Sequence, residues 1–125
     1  MRRLTTIIIL LAMSAGVAMA TAHRDIIPFD AKRMMDQNGK AFLLDVRTPE
    51  EYRQGHLKGA VLIPLNQIER RLAEVPKNRP VIVYCAVGSR SSLVAGFLTH
   101  KGYRDVYNMI GGIMGWYRNG YPIER

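Results

Sequence analysis

The feature that most constrains the fold is an uninterrupted apolar segment at residues 80–85, which reads PVIVYC. It is rich in β-branched side chains and starts at a proline, which is typical of a β-strand. Because no charged residue interrupts it, both faces of this strand are expected to be buried, as they are in a parallel sheet. A small polar loop at 86–90 and a helical segment at 91–100 follow.

The rest of the chain continues this alternation. Further strands are predicted at 41–46, 60–63 and 105–109, and helices within 26–38, from 49 to just before Gly55, at 66–73 and at 113–119. Asp30 is the expected N-cap of the first helix and Gly39 its end, and Thr48 to Glu51 form a capping box. The pattern indicates one α/β domain with a mainly parallel central sheet and helices on both faces. Ligands in such folds bind beyond the carboxyl ends of strands, where Cys85 lies.

Residues 1–20 have the pattern of a secretory signal peptide. Arg2 and Arg3 give it a positive start, the residues from 4 to 19 are uncharged, and the AMA at its end is a small-residue cleavage site. The apolar stretch of about 16 residues is short for a membrane span, which needs roughly 20. We therefore expect a cleaved chain of residues 21–125 in the periplasm, with no membrane attachment. An uncleaved anchor is the alternative.

Composition excludes several classes of protein. With 48% hydrophobic and 22% charged residues, the chain has a globular rather than a disordered composition. Cys85 is the single cysteine, so an intramolecular disulfide and a cysteine zinc site are excluded. The net charge of +8 becomes +6 without residues 1–20, which carry two arginines. Because the basic residues are scattered, we expect no nucleic-acid partner. The three histidines lack ligand spacing, so no metal is expected either.

The loop after Cys85 has the composition of an anion-binding cradle. Successive backbone N–H groups of a short loop can point inward, and Gly88 permits the backbone angles that such a loop needs. The following helix directs its positive end to the same place, and Arg90 adds a cation. These features favour the thiolate, which is the nucleophilic form of cysteine. The alternative is that Cys85 is an inert, buried residue at a strand end and that Arg90 is solvated.

Three motifs in this order resemble those of the rhodanese family. Residues 45–52 (DVRTPEEY) and 55–60 (GHLKGA) are similar to its first signature, and residues 85–90 (CAVGSR) to its active-site loop. Gly102 to Val106, then Gly111, Gly112 and Trp116, are similar to its closing segment. The resemblance spans about 27–122 and implies a single-domain, exported rhodanese of the bacterial type.

Sulfur transfer is the activity that this resemblance implies. A small anionic donor such as thiosulfate would give its outer sulfur to Cys85, and a thiol or cyanide acceptor would take it from the persulfide. Cys85 and Arg90 are the implied catalytic residues, without cofactor or metal, in a protein that we expect to be monomeric. The implied substrate-binding residues are Ala86, Val87, Gly88, Ser89, Arg90, Arg47 and Asp45. For Asp45 and Arg47, a buried ion pair or loop support is favoured over direct substrate contact, and for His56 a role in the turn.

One departure from the family pattern concerns the donor. Many members that use thiosulfate carry lysine or arginine inside the loop, where Ala86 and Val87 stand here. The missing charge should weaken binding of a dianion, so another persulfide or thiol donor stays open. Two other functions also stay open: a weakly active or non-enzymatic sulfur-carrier or partner-binding module, and a phosphatase of the same fold. The phosphatase is disfavoured because four residues, not five, separate Cys85 from Arg90.

Overall fold

The computed structural model describes residues 22–125, and the predicted signal peptide lies outside them. These residues form five strands and four α-helices. In chain order they are β1 (Arg24–Ile26), α1 (Pro28–Asn38), β2 (Phe42–Asp45), α2 (Pro49–Gln54), β3 (Val61–Leu62), β4 (Val81–Tyr84), α3 (Ser89–His100), β5 (Val106–Met109) and α4 (Gly112–Arg118). None of the helices in this part of the chain has the length and apolar character needed to cross a bilayer.

The sheet has the strand order β1-β5-β4-β2-β3, and every neighbouring pair of strands is parallel. The segment predicted as the most buried strand is β4, which lies at the centre with all four residues buried. Val81 and Val83 pack on one face with α3, while Ile82 and Tyr84 pack on the other with α1 and α4. The predicted parallel sheet with helices on both faces is therefore confirmed.

Helix boundaries follow local signals in two places and depart from them in one. Gly39 ends α1 in the left-handed conformation, and Thr48 and Glu51 form the predicted capping box of α2. Asp30 does not cap α1, because the helix begins at Pro28 and places Asp30 inside its first turn. Ile27 is the N-cap and offers no side-chain hydrogen bond. Proline at the first helical position has no N–H to satisfy, and its fixed φ suits the start of a helix.

Two further elements differ from the sequence prediction. Residues 66–73 do not form a helix; two short 3-10 turns, Leu65–Gln67 and Leu72–Glu74, stand in this region. The Tyr103 hydroxyl lies 3.1 and 2.6 Å from the carbonyl oxygens of Leu72 and Val75, which ties the end of this region to the segment after α3. Strand β1 was not predicted, because it is a three-residue edge strand without an apolar run.

The start of α3 changes the shape of the loop after Cys85. The helix begins at Ser89, two residues earlier than predicted, with Gly88 as its N-cap at a φ of 107°. Ser89 and Arg90 therefore belong to the first turn of the helix and not to the loop. A left-handed φ of this kind favours glycine. The positive end of the α3 dipole consequently lies directly at the loop.

The first turn of α4 holds this loop from the other side. The N–H of Ile113 donates to the carbonyl of Cys85 at 2.9 Å, and the N–H of Met114 donates to that of Ala86 at 3.1 Å. Gly112, at a φ of 58°, lies so close that a Cβ there would be 2.4 Å from both of these carbonyl oxygens. This close approach requires glycine, and the second glycine of the GG pair is therefore part of the loop's support.

Replacing Gly112 by alanine should strongly destabilise the protein. We expect Gly112→Ala to lower the free energy of unfolding by about 3 kcal/mol, from backbone strain plus the clash. Gly120→Ala is the matched control, because Gly120 also has a positive φ, of 76°, but nothing lies within 4 Å of its Cβ position. The control should cost only about 1 kcal/mol. Equal losses in chemical denaturation would show that close packing at Gly112 does not matter.

Candidate active site

The sulfur of Cys85 lies at the carboxyl end of β4, surrounded by hydrogen-bond donors. The N–H of Gly88 is 3.1 Å from Sγ and the N–H of Ser91 is 3.4 Å away. The Ser91 hydroxyl, which can donate or accept, is 3.3 Å away. The cysteine itself has no exposed surface. The burial of the sulfur agrees with the alternative that Cys85 is inert. The N–H groups that point at it agree with the predicted anion-binding cradle.

Hydrogen bonds outweigh burial in setting the acidity of this thiol. Burial of Cys85 raises its pKa. The Ser91 hydroxyl, when it turns to the sulfur, and the N–H groups of Ser91, Gly88 and Val87 lower it, and the net effect is a pKa below the ordinary value for cysteine. The thiolate is therefore more populated at neutral pH than in a free cysteine. An uncompensated buried cysteine would shift the other way.

Arg90 reaches across the loop to α2. Its two terminal nitrogens donate to the two carboxylate oxygens of Glu51 at 2.7 and 2.9 Å, a bidentate pair. The pKa of Arg90 is raised, chiefly by Glu51 and also by its attraction to the Cys85 sulfur. Glu51 also closes the capping box with Thr48, so it joins the start of α2 to the start of α3. Part of the charge of Arg90 is consequently neutralised next to the loop.

Asp45 and Arg47 form a buried ion pair with each other. Their shortest contact is 2.7 Å, and Arg47 also donates to the carbonyl of Gly55 at 2.6 Å. This contact ties the end of β2 to the turn that follows α2. The observed contact is the buried ion pair that was favoured for these two residues. Their direct contact with a substrate stays a prediction.

The other predicted loop residues differ in position. Val87 is 62% exposed and Ser89 is exposed on the first turn of α3, whereas Ala86 is half-buried. Ala86 borders a surface cavity of about 350 Å³. Part of its wall is apolar and comes from α4 and the C-terminal segment, namely Ile113, Met114, Tyr117 and Ile123. The rest is mostly polar or charged and includes Arg47, Glu51, Gln54 and Arg125. The space beside the loop therefore combines an apolar wall with charged groups.

His56 supports the turn after α2. Its Nδ1 lies 2.9 Å from the carbonyl oxygen of Tyr52, and its ring stacks on the Tyr52 ring at 3.8 Å. No group of three or more potential metal ligands is found within residues 22–125.

Three residues that contact the site were not predicted to be functional. Glu51 was assigned only to a helix cap, and Ser91 was placed in the helix after the loop. Asn108, at the end of β5, accepts a hydrogen bond from the Ser91 hydroxyl at 2.6 Å. The serine could have been found from its place directly after Arg90, but nothing local to the sequence marks Asn108, because only the fold brings β5 beside β4.

The rhodanese-like domain family matches residues 28–119, most of the chain. The chain belongs to this family. This rhodanese-like domain is 43% identical over 81 residues to a protein named sulfurtransferase from Allochromatium vinosum, which covers 65% of this chain and 76% of the relative.

Relatives of similar size extend this comparison. The thiosulfate sulfurtransferase GlpE of Actinobacillus pleuropneumoniae is 36% identical over 106 residues, which cover 85% of this rhodanese-like domain chain and 97% of the relative. The crystal structure of a rhodanese-related protein from Thermoplasma volcanium superimposes with a TM-score of 0.75 at 28% identity, over 82% of this chain and 98% of that one. The fold of the Thermoplasma protein is thus shared by this chain.

The ion pair between Glu51 and Arg90 should make the free energy of unfolding depend on pH in the acid range. The pair lowers the pKa of Glu51 to about 2 from its ordinary value of 4.5, so its stabilisation is complete above pH 4.5 and is lost as the pH falls towards 2. Glu51→Gln keeps the capping geometry and should cost about 1 kcal/mol at pH 7, since the pair is partly solvated. This difference from the wild type should shrink as the pH falls below 4.5 and disappear below about pH 2.

The control is Glu50→Gln, which removes an exposed carboxylate from the same helical turn. Urea unfolding curves at several pH values measure both variants. If Glu51→Gln costs the same at every pH, or no more than the control does, the ion pair does not contribute the stabilisation described.

Proposed function

We propose that this protein is a sulfurtransferase that moves a sulfane sulfur from a donor to a thiophilic acceptor through a persulfide on Cys85. The observation that carries the proposal is the convergence of the N–H groups of Gly88 and Ser91 on the buried sulfur. Such donors stabilise negative charge without water, which both the thiolate and the persulfide anion require. The membership in a family with sulfurtransferases supports the same reaction class.

The reaction takes place in two half-reactions. The Cys85 thiolate attacks the outer sulfur of thiosulfate, the sulfur–sulfur bond of the donor breaks, and sulfite leaves with the electron pair. Cyanide or a thiolate then attacks the outer sulfur of the persulfide, and the Cys85 thiolate is released again. Because the enzyme is modified between the two substrates, the kinetics should be ping-pong. Arg90 lies at the first turn of α3 and holds its charge near the sulfur in both steps.

Mass spectrometry of the intact chain after incubation with thiosulfate tests this proposal. We expect a gain of one sulfur atom, located on the peptide that contains Cys85 and removed by cyanide as thiocyanate. Cys85→Ser should remove both the mass gain and the thiocyanate, while its thermal unfolding stays close to that of the wild type. A wild-type chain that gains no sulfur from thiosulfate or from a small organic persulfide would contradict the proposed reaction.

Export is a second part of the proposal, and it rests on the pattern of residues 1–20. The same intact-mass measurement, made on protein from the cell envelope, shows whether residues 1–20 have been removed. The expected species begins near Thr21, and full-length protein in the membrane fraction would contradict it.

The physiological donor is proposed to be an organic persulfide rather than thiosulfate. Ala86 and Val87 supply no charge for a dianion. Two arginines line the cavity beside Ala86, but Arg47 is already paired with Asp45 and Arg125 is the exposed last residue. Ile113, Met114 and Tyr117 give the same cavity an apolar wall. An organic group attached to the donor sulfur can pack there, whereas thiosulfate has none. The same wall suits the carbon skeleton of a thiol acceptor.

Adding a cation to the loop should therefore improve the use of thiosulfate. Val87 is exposed and can be replaced without disturbing the core. We expect Val87→Lys to raise kcat/KM for thiosulfate roughly three- to tenfold at low salt, because a nearby opposite charge contributes about 1 kcal/mol, and less as salt is added. Val87→Gln has a comparable size without charge and should show no such gain. A Val87→Lys variant without improvement would indicate that loop charge does not limit donor choice.

A further inference from the structure

A chain of hydrogen bonds leads from the buried Cys85 sulfur, through two buried side chains, to an exposed carboxylate on the edge strand β1. Ser91 Oγ lies 3.3 Å from Sγ and 2.6 Å from Oδ1 of Asn108. Nδ2 of Asn108 lies 3.1 Å from a carboxylate oxygen of Asp25 on β1 and 3.4 Å from the carbonyl oxygen of Gly88. Ser91 and Asn108 are both almost completely buried. The proposed reaction assigns no role to Asn108.

The surroundings of Asn108 determine which way its amide group faces. A carboxylate and a backbone carbonyl only accept hydrogen bonds, so the amide atom that faces Asp25 and Gly88 must be the NH₂ group. The oxygen of the amide therefore faces Ser91. Reversing the amide would place two oxygens against each other at Asp25.

This orientation determines where the hydroxyl proton of Ser91 lies. Two oxygens 2.6 Å apart need a proton between them, and the amide oxygen of Asn108 has none to offer. The single Ser91 proton consequently points to Asn108, and a lone pair of the hydroxyl oxygen faces the sulfur. That lone pair can accept the S–H of a neutral thiol. It can stabilise a thiolate only if the hydroxyl turns to the sulfur and leaves Asn108.

We propose that Asn108 is a positioning residue that directs the Ser91 hydroxyl and competes with the Cys85 sulfur for its proton. The backbone N–H groups of Gly88 and Ser91 are fixed donors, whereas the hydroxyl is a movable one. It accepts from the resting thiol and turns towards the sulfur when the sulfur carries charge. A role of this competition in catalysis rests on the proposed persulfide cycle, whereas the competition for the Ser91 proton itself does not.

Charged groups near the sulfur stay the same when Asn108 is changed to a neutral residue. They are Arg90 on α3 with Glu51 behind it, the Asp45 and Arg47 pair after β2, and Asp25 with His23, whose Nε2 lies 3.7 Å from it. A shift in the titration of Cys85 in such a variant therefore reports hydrogen bonding and not a lost or gained charge.

The test measures the rate of alkylation of Cys85 by iodoacetamide as a function of pH in the full chain. Cys85 is the single cysteine, so every alkylated molecule reports this site. In Asn108→Leu the hydroxyl keeps only the longer contact to the Gly88 carbonyl, at 3.1 Å, as a competitor of the sulfur. We expect the midpoint of the profile to fall by about half to one pH unit, the equivalent of one released hydrogen bond. A purely structural disturbance would misalign the loop donors and raise the midpoint.

Controls separate the hydroxyl from the strand. Met109→Leu, at the next residue of β5, should keep the wild-type midpoint. In the double variant with Ser91→Ala, the change at Asn108 should no longer lower it. A midpoint that is unchanged or raised in Asn108→Leu would overturn the proposal.

Ser91→Ala alone decides the question if Asn108→Leu does not fold, which circular dichroism reveals. Because the Ser91 proton already serves Asn108, we expect a midpoint within about half a pH unit of the wild type. A larger rise would mean that the hydroxyl donates to the charged sulfur without competition from Asn108, and would overturn the proposal. None of these readings uses a sulfur donor, so failure of the proposed transferase activity is detected separately.

Discussion

A buried sulfur atom can carry negative charge only where hydrogen-bond donors replace the water that it has lost. In this protein the condition is met at the end of the central strand β4, where the N–H groups of Gly88 and Ser91 point at Cys85. A short turn into α3 provides this geometry and adds the positive end of the helix. The other features of the site hold that turn in place or adjust its charge.

The loop is supported from three directions. Gly112 lets the first turn of α4 approach, so that the N–H of Ile113 satisfies the carbonyl of Cys85 itself. Glu51 reaches from α2 to Arg90, and Asn108 reaches from β5 to Ser91. Each contact comes from a different part of the chain, and the parallel sheet brings them together at one edge. This explains how a domain of this size can hold a buried thiol in a fixed setting.

The sequence predicted the elements whose signals are local and strong. The apolar run became β4, the capping box at Thr48 and Glu51 formed as expected, and Gly39 ended α1. Residues 66–73 were mistaken for a helix, because their local pattern does not reveal that the hydroxyl of Tyr103 contacts the carbonyls in this region.

The contacts at the candidate site also divide into those with a local sequence signal and those that depend on distant parts of the chain. The cradle around Cys85 could be inferred from a glycine and the start of a helix within one short segment. The partner of Arg90 could not, since Glu51 lies 39 residues earlier and its local role as a cap gave it a sufficient explanation. Asn108 and Asp25 meet across 83 residues of sequence through the pairing of β1 with β5. Contacts of this length depend on the topology of the sheet and not on any local spacing.

A crystal structure of the chain after reaction with a sulfur donor tests the central claim most directly. The account predicts electron density for a second sulfur bonded to Cys85, within hydrogen-bond distance of loop N–H groups and with α4 still closed on the loop. A second sulfur that points away from those groups, or a loop that must unfold to admit it, would contradict the account.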